Sequence, residues 1–596
     1  MIPKIVQKLW SLLRELYGSY RTRMLGLTFL GGFSSVLEGL GISVLIPLLV
    51  FFVGGDAGDQ ASNFAVDFLK GVFGWLGVAL SFKVLLSIAV ALFLLKALML
   101  FWFGYVRAKI VAEYRMSVRS ELYQDFLNAD FSYLQRQRVG YLDTILMREV
   151  KQSSRLFENL IGFILSLTSM VAYATVSMFL SPYITILAVI FGGIFLIVFR
   201  PLMVRIRIYS RSLIAAGKEV SHMLAEILYG IKSVKAAGAE RAVFDAAQPI
   251  FKTFERLEFK KQIAKHVSKV SLEPFSMFFV LGVFAVSYLY LDFNITTFVA
   301  IMYLIHQVFM QVDKIQSALH VVTESMPSAY AVRDALREVK AHQLQPGGSA
   351  PFRFEKRLAL AGLEFGYKGT EIVRGVDLTI QKGEAVGIIG PSGAGKTTIV
   401  DLILRLQQQK GGTITLDGVP SSDIAIKEWR RNVVYVPQDV FLMNASIADN
   451  IRFFDATITD EEIADASKRA HIYEKIMSLP GGFASSAGER GTSFSGGERQ
   501  RIAVARALVR KPSILILDEA TSALDAHAED IIKDTLKELK GSLTLIVIAH
   551  KPSTIDYVDR VVAIRDGKVV ESGSPAELMK KEGSYLRQIY EKGSEM

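Results

Sequence analysis

Six long apolar stretches dominate the first half of the chain, at approximately residues 24–53, 84–106, 160–180, 184–199, 274–291 and 296–312. A helix needs about 20 apolar residues to cross a bilayer core, so each stretch predicts a membrane span. Only Ser181-Pro182-Tyr183 separates the third stretch from the fourth, and the segment between the fifth and sixth is similarly short. Each of these two pairs is therefore predicted to form a tight helical hairpin.

The segments around the spans also carry helical patterns. Residues 2–17 mix Leu, Ile and Trp with Lys and Arg, which predicts a helix lying in the membrane interface. The long connections 107–155 and 200–269 keep apolar residues at helical spacing, which predicts paired helical arms. Arms of about 25 residues or more would extend roughly 35 to 50 Å beyond the membrane. That length would reach a domain attached below the bilayer.

The distribution of Lys and Arg predicts the orientation in the membrane. Nine lie in 107–155 and fourteen in 200–269, whereas 54–81 contains only Lys70. Because cytoplasmic connections carry the excess of positive residues, the N-terminus, both long connections and the C-terminal half are predicted to be cytoplasmic. The formal net charge of +10 then reflects this bias, and we expect no nucleic-acid partner.

Composition places part of the chain in lipid, because 51% of its 596 residues are hydrophobic. Cys is absent, which excludes disulfides, Cys-ligated metals and a cysteine protease domain; the sequence does not decide whether this absence is natural or engineered. No short apolar region with a small-residue cleavage site precedes the first span, so no removable signal peptide is expected.

A change of pattern divides the chain into two domains. Helical periodicity continues to about residue 342 and stops at the Pro-, Gly- and Ser-rich segment 343–351, the predicted linker. Residues 1–342 are predicted to form an all-α transmembrane domain of six spans with long cytoplasmic helical extensions. Residues 352–596 alternate strand and helix patterns, which predicts an α/β domain.

The segment Gly390-Pro-Ser-Gly-Ala-Gly-Lys-Thr-Thr398 matches the pattern of a phosphate-binding P-loop between an apolar strand and a helix. Its glycines would let backbone N–H groups wrap a phosphate, Lys396 would neutralise the β and γ oxygens of ATP, and Thr397 would bind Mg²⁺. This pattern also arises by chance, so further motifs are needed. The predicted ATP-binding residues of the loop are Gly390, Ser392, Gly393, Gly395, Lys396, Thr397 and Thr398.

A second motif is the acidic pair Asp518-Glu519, which follows the apolar strand 513–517. A carboxylate at the C-terminal end of a parallel strand lies beside the phosphate site of such a domain. We therefore predict that Asp518 holds the Mg²⁺ water shell and that Glu519 orients or deprotonates the attacking water. An acidic pair can also cap the next helix, but the P-loop favours the catalytic interpretation.

A third motif, Phe494-Ser-Gly-Gly-Glu-Arg-Gln500, resembles the signature of ATP-binding cassette (ABC) transporters. The resemblance extends to Tyr367, Gln438, Ser522-Ala-Leu-Asp525 and His550. It covers essentially the whole chain, which is similar to half-transporter exporters with six spans followed by one P-loop ATPase cassette.

The resemblance implies roles for residues outside the first two motifs. Tyr367 would stack on adenine, and Gln438 would contact Mg²⁺ and sense the membrane arms. His550 would hold the γ-phosphate and the attacking water, and Asp525 would belong to the ATP site. The segment Ala487-Gly-Glu-Arg490 resembles the exporter-specific loop that senses the arms.

In this family the signature binds a nucleotide held by the opposite subunit. Ser495, Gly496 and Gly497 offer a hydroxyl and helix-N-terminal amides to a phosphate. The resemblance therefore implies a homodimer that sandwiches two ATP molecules with Mg²⁺, and a heterodimer stays an alternative.

Four residues at three places depart from the family pattern. Phe494 stands where Leu is typical, Glu498 where Gln is commoner, and Lys551-Pro552 where Arg-Leu is expected. None of these changes removes a catalytic group, so both ATP sites of a homodimer are expected to be competent.

Ionisable and polar residues within the spans are the candidates for cargo contact, because such residues are costly in lipid and usually face a cavity or a partner. Glu38 and Lys96 lie near the middle of spans one and two, and His306, Gln307 and Gln311 lie in span six. One hypothesis places Glu38, Lys96 and His306 against the cargo. The alternative is a structural Glu38–Lys96 pair, or positions solvated near an opening.

The segment Ser34–Pro47 of span one is similar to that of exporters that flip lipid-linked oligosaccharides. We therefore expect an ATP-driven exporter or flippase of a lipidic, lipid-linked or amphipathic substrate, in a bacterial inner membrane with the ATPase domain in the cytoplasm. A multidrug or peptide exporter and an ATP-gated channel or regulator are alternatives, and the intact Glu519 and His550 disfavour the channel. The six spans disfavour a soluble ABC protein acting on ribosomes or DNA.

Overall fold

The computed structural model describes residues 14–52, 81–137, 140–180, 182–290, 295–344, 347–367, 370–518, 526–549, 555 and 557–588. The chain forms two compact units. The first comprises Met1–Asn128 and Arg138–Ala341, and the second comprises Ala129–Gln137 and His342–Met596. Nine residues of the first long connection thus belong to the second unit, which the sequence pattern does not show.

The first unit is built from long helices, which confirms the predicted all-α class. Every helix before residue 342 except the short α3 belongs to it. In chain order, the α-helices of six or more residues before residue 342, with α3 included, are α1 (Arg21–Phe52), α2 (Phe82–Leu127), α3 (Phe131–Arg136), α4 (Val150–Leu180), α5 (Pro182–Tyr229), α6 (Ile231–Ala236), α7 (Glu240–Val270), α8 (Leu272–Tyr290) and α9 (Ile295–Ala341).

Five helical segments of the described residues are long and apolar enough to cross a membrane. They overlap the first five predicted spans, and the sixth predicted span lies within α9. Several helices continue well past the apolar stretches: the 48 residues of α5 extend about 70 Å. The predicted interfacial helix 2–17 lies outside the described residues except for its last turn, which is helical from Arg14 to Tyr17.

Small residues let α1 lie close against α4. A Cβ atom on Gly39 would be 2.9 Å from Val176 Cγ2, so only glycine fits there without a shift of the neighbouring side chain. One turn earlier, the hydroxyls of Ser35 and Ser169 form a hydrogen bond of 2.6 Å between the same two helices. Close approach through small residues and hydroxyl pairs is typical of helices packed in membranes. It brings Glu38 of α1 beside α4.

The second unit is an α/β domain, as predicted. Its strands are β1 (Arg357–Tyr367), β2 (Thr370–Gln381), β3 (Ala385–Ile389), β4 (Gly411–Leu416), β5 (Val419–Pro420), β6 (Val433–Val436), β7 (Ile514–Asp518), β8 (Thr544–Ile548), β9 (Arg560–Arg565) and β10 (Lys568–Gly573). Besides α3, its α-helices are α10 (Lys396–Ile403), α11 (Ile426–Asn432), α12 (Ile447–Arg452), α13 (Asp460–Arg469), α14 (Tyr473–Met477), α15 (Gly496–Leu508), α16 (Ala526–Leu539) and α17 (Pro575–Lys580).

Two sheets form this unit. One has six strands in the order β10-β9-β3-β8-β7-β6, parallel except for β10, and the other is antiparallel in the order β2-β1-β4-β5. Strands β3 and β7 are buried along their whole length, as expected for parallel strands covered on both faces. Ligands of such sheets bind at the C-terminal ends of the strands, where the P-loop leaves β3 and where Asp518 ends β7.

Candidate functional site

The P-loop leaves β3 in a conformation that requires glycine. Gly390, Gly393 and Gly395 have φ angles of 155°, 81° and 97°. At Gly390 a Cβ atom would also lie 2.2 Å from the carbonyl oxygen of Ile564, so no other residue fits. The loop ends at the first residue of α10, and the N-terminus of a helix is a favourable place for a phosphate.

Lys396 is the buried cation of this loop, with 5% of its surface exposed. Its Nζ donates hydrogen bonds to the carbonyl oxygens of Gly390, at 2.9 Å, and Pro391, at 3.1 Å. Two loop residues, Ser392 and Gly393, are exposed, and so is Thr397, which follows Lys396 in α10. The loop therefore presents accessible hydroxyl and amide groups around a cation that backbone carbonyls already hold in place.

Asp518 ends strand β7 with only 7% of its surface exposed. Tyr435, on the neighbouring parallel strand β6, donates a hydrogen bond from Oη to Asp518 Oδ2 at 3.0 Å. Burial raises the pKa of the Tyr435 phenol, and the charge of Asp518 raises it further. The phenol therefore stays protonated and acts as the donor of this bond.

The residues at this edge fit Mg²⁺. No group of three or more His, Asp or Glu side chains converges in the described part of the chain. Mg²⁺ characteristically binds through one or two carboxylates together with hydroxyls, waters and substrate phosphates. Thr397 and Asp518 supply one hydroxyl and one carboxylate of this kind.

Asp401 is a second carboxylate near this edge, one helical turn after Thr397 on α10. Burial is the main cause that raises the pKa of Asp401, and together with the charge of Asp518 it brings this pKa to about 6. Sequence reasoning missed both Asp401 and Tyr435. The four-residue spacing from Thr397 and the position of Tyr435 three residues before Gln438 are signals that could have identified them.

The signature segment begins helix α15 with a complete capping box. Ser495 Oγ accepts a hydrogen bond from the N–H of Glu498 at 3.3 Å, and Glu498 Oε2 accepts one from the N–H of Ser495 at 2.9 Å. Glu498 also pairs with Lys475 Nζ at 3.1 Å. Burial opposes ionisation, but the Ser495 amide and the Lys475 ammonium outweigh it and lower the pKa of Glu498. Glu at this position thus serves the cap that Gln would serve, and Ser495 stays exposed.

Other predicted site residues are placed as follows. Tyr367 ends β1 with 41% of its surface exposed, and its ring meets that of Phe365 edge-on with centroids 4.9 Å apart. Gln438 is exposed just after β6. In the segment that resembles the arm-sensing loop, Ala487 is fully buried and donates its N–H to the Ala445 carbonyl at 3.0 Å.

Several predicted residues lie outside the described part of the chain. They are Glu519, the segment Ser522–Asp525, His550, Lys551 and Pro552.

Glu38 and Lys96 form an ion pair, with Glu38 Oε1 2.7 Å from Lys96 Nζ. Tyr173 of α4 donates a hydrogen bond to the other oxygen of Glu38. The side chain of Glu38 is 9% exposed and that of Lys96 is 21% exposed. This is the arrangement that the structural-pair alternative predicts, although Lys96 keeps part of its surface accessible. His306 on α9 is exposed.

Comparison with known proteins gives two family matches. The family "ABC transporter transmembrane region" matches residues 24–312, and the family "ABC transporter" matches residues 373–522. The "ATP-dependent lipid A-core flippase" of Saccharophagus degradans is 31% identical over 483 residues, covering 79% of this chain and 80% of the flippase. The "Heterocyst differentiation ATP-binding protein HepA" of Nostoc sp. is 28% identical over 479 residues, covering 78% and 77% of the two chains.

Among solved structures, a bacterial Atm1-family ABC exporter with ATP bound has the same fold. Its TM-score is 0.78 at 22% sequence identity, and the alignment covers 96% of this chain and 98% of the exporter.

Proposed function

The chain belongs to the ABC transporter family as an ATP-hydrolysing exporter of the half-transporter type, and on that premise we propose that it works as a homodimeric flippase for a lipidic, lipid-linked or amphipathic substrate. The observation that carries the proposal is the pairing, in one chain, of a P-loop site with an exposed signature Ser495 at the start of α15. Two copies of the chain supply two loops and two signatures. Each nucleotide would then lie between a loop of one copy and a signature of the other.

The residues of the first half-site have distinct roles in this proposal. Gly393 and Gly395 give the loop its shape, Lys396 exchanges its carbonyl acceptors for phosphate oxygens, and Tyr367 stacks on adenine. Thr397 and Asp518 would hold Mg²⁺ together with Gln438, and the ion would neutralise charge on the β and γ phosphates.

The remaining roles fall to the signature and to two residues after β7. Ser495, Gly496 and Gly497 of the partner copy would bind the γ-phosphate. Glu519 would take a proton from the attacking water, and His550 would orient that water. Asp525 would complete the pocket at the interface.

Exposed apolar surfaces support a second copy as the partner. At the end of α5, Leu228 and Tyr229 are 68% and 97% exposed, and Ile231, which begins α6, is 43% exposed. Apolar tips of this kind usually mark contact surfaces. The second unit has an open groove of about 390 Å³, lined by apolar side chains that include Phe441 and Phe453 and by three arginines, Arg430, Arg506 and Arg510. We propose that this tip of one copy docks into the groove of the other and transmits closure of the ATP sites to the spans.

The lipidic cargo is supported by the relative named as a lipid A-core flippase and by the polar group within the spans. We propose that Lys96 and His306 face the cargo. Glu38 and Tyr173 then hold the Lys96 ammonium in place while leaving part of it accessible. The bacterial relatives also support a bacterial inner membrane, with the ATPase domain in the cytoplasm.

The test is reconstitution of the purified protein in liposomes with a panel of fluorescent phospholipids, lipid-linked sugars and amphipathic drugs. We expect ATP-dependent transfer of a lipid or lipid-linked sugar between leaflets, with stimulated ATPase activity. Glu519→Gln is the matched control, which should bind ATP but transfer nothing. Transfer of drugs or peptides with no effect of any lipid would support the multidrug or peptide alternative and overturn the lipidic assignment.

A further inference from the structure

Tyr435 and Asp518 connect two adjacent strands at the ATP site. In the β6–β7 ladder Tyr435 is opposite Ile516, so its side chain lies two residues before Asp518 along the neighbouring strand. Its hydroxyl reaches forward to Asp518 Oδ2, at 3.0 Å. The contact is therefore built into the register of the sheet rather than into a mobile loop.

This hydrogen bond constrains a buried carboxylate. Asp518 is 7% exposed, and a buried charged group needs donors to compensate for lost water. A hydrogen bond to an ionised acceptor is also stronger than one between two neutral groups. A donor fixed on one oxygen restricts rotation of the carboxylate, so the group has one preferred orientation at the end of β7.

A second negative charge near Asp518 makes a fixed orientation of its carboxylate more important. Asp401 of α10 is a second carboxylate close enough to feel the negative charge of Asp518. Two carboxylates of like charge repel each other in the absence of a cation. The Tyr435 hydroxyl donates to Asp518 from the neighbouring strand β6, so it holds this carboxylate without adding another charge.

We propose that Tyr435 is a positioning residue for the magnesium site: its hydroxyl fixes Asp518 in the orientation that receives Mg²⁺ together with ATP. This inference rests on the proposed role of Asp518 and adds a residue that neither the family motifs nor the sequence pattern assign. Groups that orient metal ligands usually change metal affinity by about 10-fold to 100-fold when they are removed.

The experiment compares Tyr435→Phe with the wild-type full-length protein in nanodiscs. Binding of a fluorescent ATP analogue is measured first with EDTA and then across a Mg²⁺ titration. We expect unchanged binding in EDTA and a half-saturating Mg²⁺ concentration raised about 10-fold. ATPase activity should show the same displacement along the Mg²⁺ axis, with turnover largely recovered at saturating Mg²⁺. Water proton relaxation with Mn²⁺ gives a readout independent of turnover.

Tyr557→Phe is the matched control. Tyr557 is a buried tyrosine of the same unit whose hydroxyl has no hydrogen-bond partner among the described residues. Its loss of one hydroxyl should leave the Mg²⁺ titration unchanged. In an Asp518→Asn background, Tyr435→Phe should also have no further effect, since the group that it positions is altered.

The outcomes separate this inference from the proposed function. A wild-type protein that binds and hydrolyses ATP without any Mg²⁺ dependence would overturn the magnesium role itself. A wild-type protein that depends on Mg²⁺, beside a Tyr435→Phe variant with the same titration curve, would overturn only the positioning role. An equal loss of binding with and without Mg²⁺ would also overturn it, because it would indicate a general structural effect.

Discussion

Tyr133 stacks on His342, with ring centroids 4.7 Å apart and ring planes 20° from parallel. The N–H of Asp130 also donates to the His342 carbonyl at 2.8 Å, and Ala129 forms a bridge with Gln343. In sequence, these two segments directly follow helices α2 and α9 of the first unit. Within the second unit, part of the first long connection therefore contacts the start of the linker.

Loss of this stack should weaken coupling between ATP hydrolysis and transport. Tyr133→Ala removes an aromatic pair worth about 1 kcal/mol beyond its buried area. We expect basal ATPase activity to persist while cargo-stimulated activity and transfer fall several-fold. Tyr133→Phe retains the ring and should behave as the wild type. Equal transport by the Ala and Phe variants would show that the stack has no part in coupling.

The ion pair in the spans predicts a strong asymmetry between single and double replacements. Glu38→Gln leaves the Lys96 ammonium without its carboxylate within the spans, and breaking a largely buried pair costs about 3 kcal/mol or more. Glu38→Gln with Lys96→Met should recover most of that stability, because neither charge remains. Thermal unfolding in nanodiscs measures both. If the double variant is no more stable than Glu38→Gln, the pair does not stabilise the spans.

The raised pKa of Asp401 predicts that the stability difference between the wild-type protein and Asp401→Asn depends on pH. This pKa is raised from 3.8 to about 6 in the folded protein, so ionisation costs native stability. The native state therefore loses stability as pH rises from about 4 through about 6. Asp401→Asn should raise stability at pH 8 by on the order of 1 kcal/mol, after allowance for solvent screening. The difference should vanish near pH 4, and a pH-independent difference in unfolding of the nucleotide-free protein would contradict this cause.

The capping box predicts that the departure at Glu498 is harmless. Gln can accept the same hydrogen bond from the Ser495 amide, so Glu498→Gln loses only the partly exposed ion pair with Lys475, worth about 1 kcal/mol or less. Glu498→Ala also loses half of the box and should lower both stability and ATPase activity further. Equal ATPase activity and melting temperature in the Gln and Ala variants would show that the box is unimportant.

The helical class of the first unit and the α/β class of the second could be predicted from the sequence because each depends on local patterns. Long apolar runs specify helices in lipid, and a glycine-rich turn between an apolar strand and a helix specifies the P-loop. The identities of Lys396 and Asp518 as candidates follow from the same local signals.

Contacts between distant segments could not be predicted in this way. The Tyr435–Asp518 bond depends on β6 and β7 being neighbours in the sheet and on the register of their pairing. Local sequence patterns do not specify either. The membership of residues 129–137 in the second unit depends on pairing with Gln343, far along the chain. The sequence leaves the Glu38–Lys96 pair as one of two alternatives, because the pair depends on how closely the helices pack.

An ATP site shared between two copies of the chain is open to a direct test by disulfide cross-linking. Because the chain contains no cysteine, copies carrying Ser392→Cys can be mixed with copies carrying Ser495→Cys, each with Glu519→Gln, and only an intermolecular bond can form. A disulfide requires Cα atoms within about 7 Å. We expect a covalent dimer that forms with Mg²⁺-ATP and not without nucleotide. Absence of the cross-link with ATP bound, or a bond that forms only when both cysteines occupy one chain, would contradict the shared site.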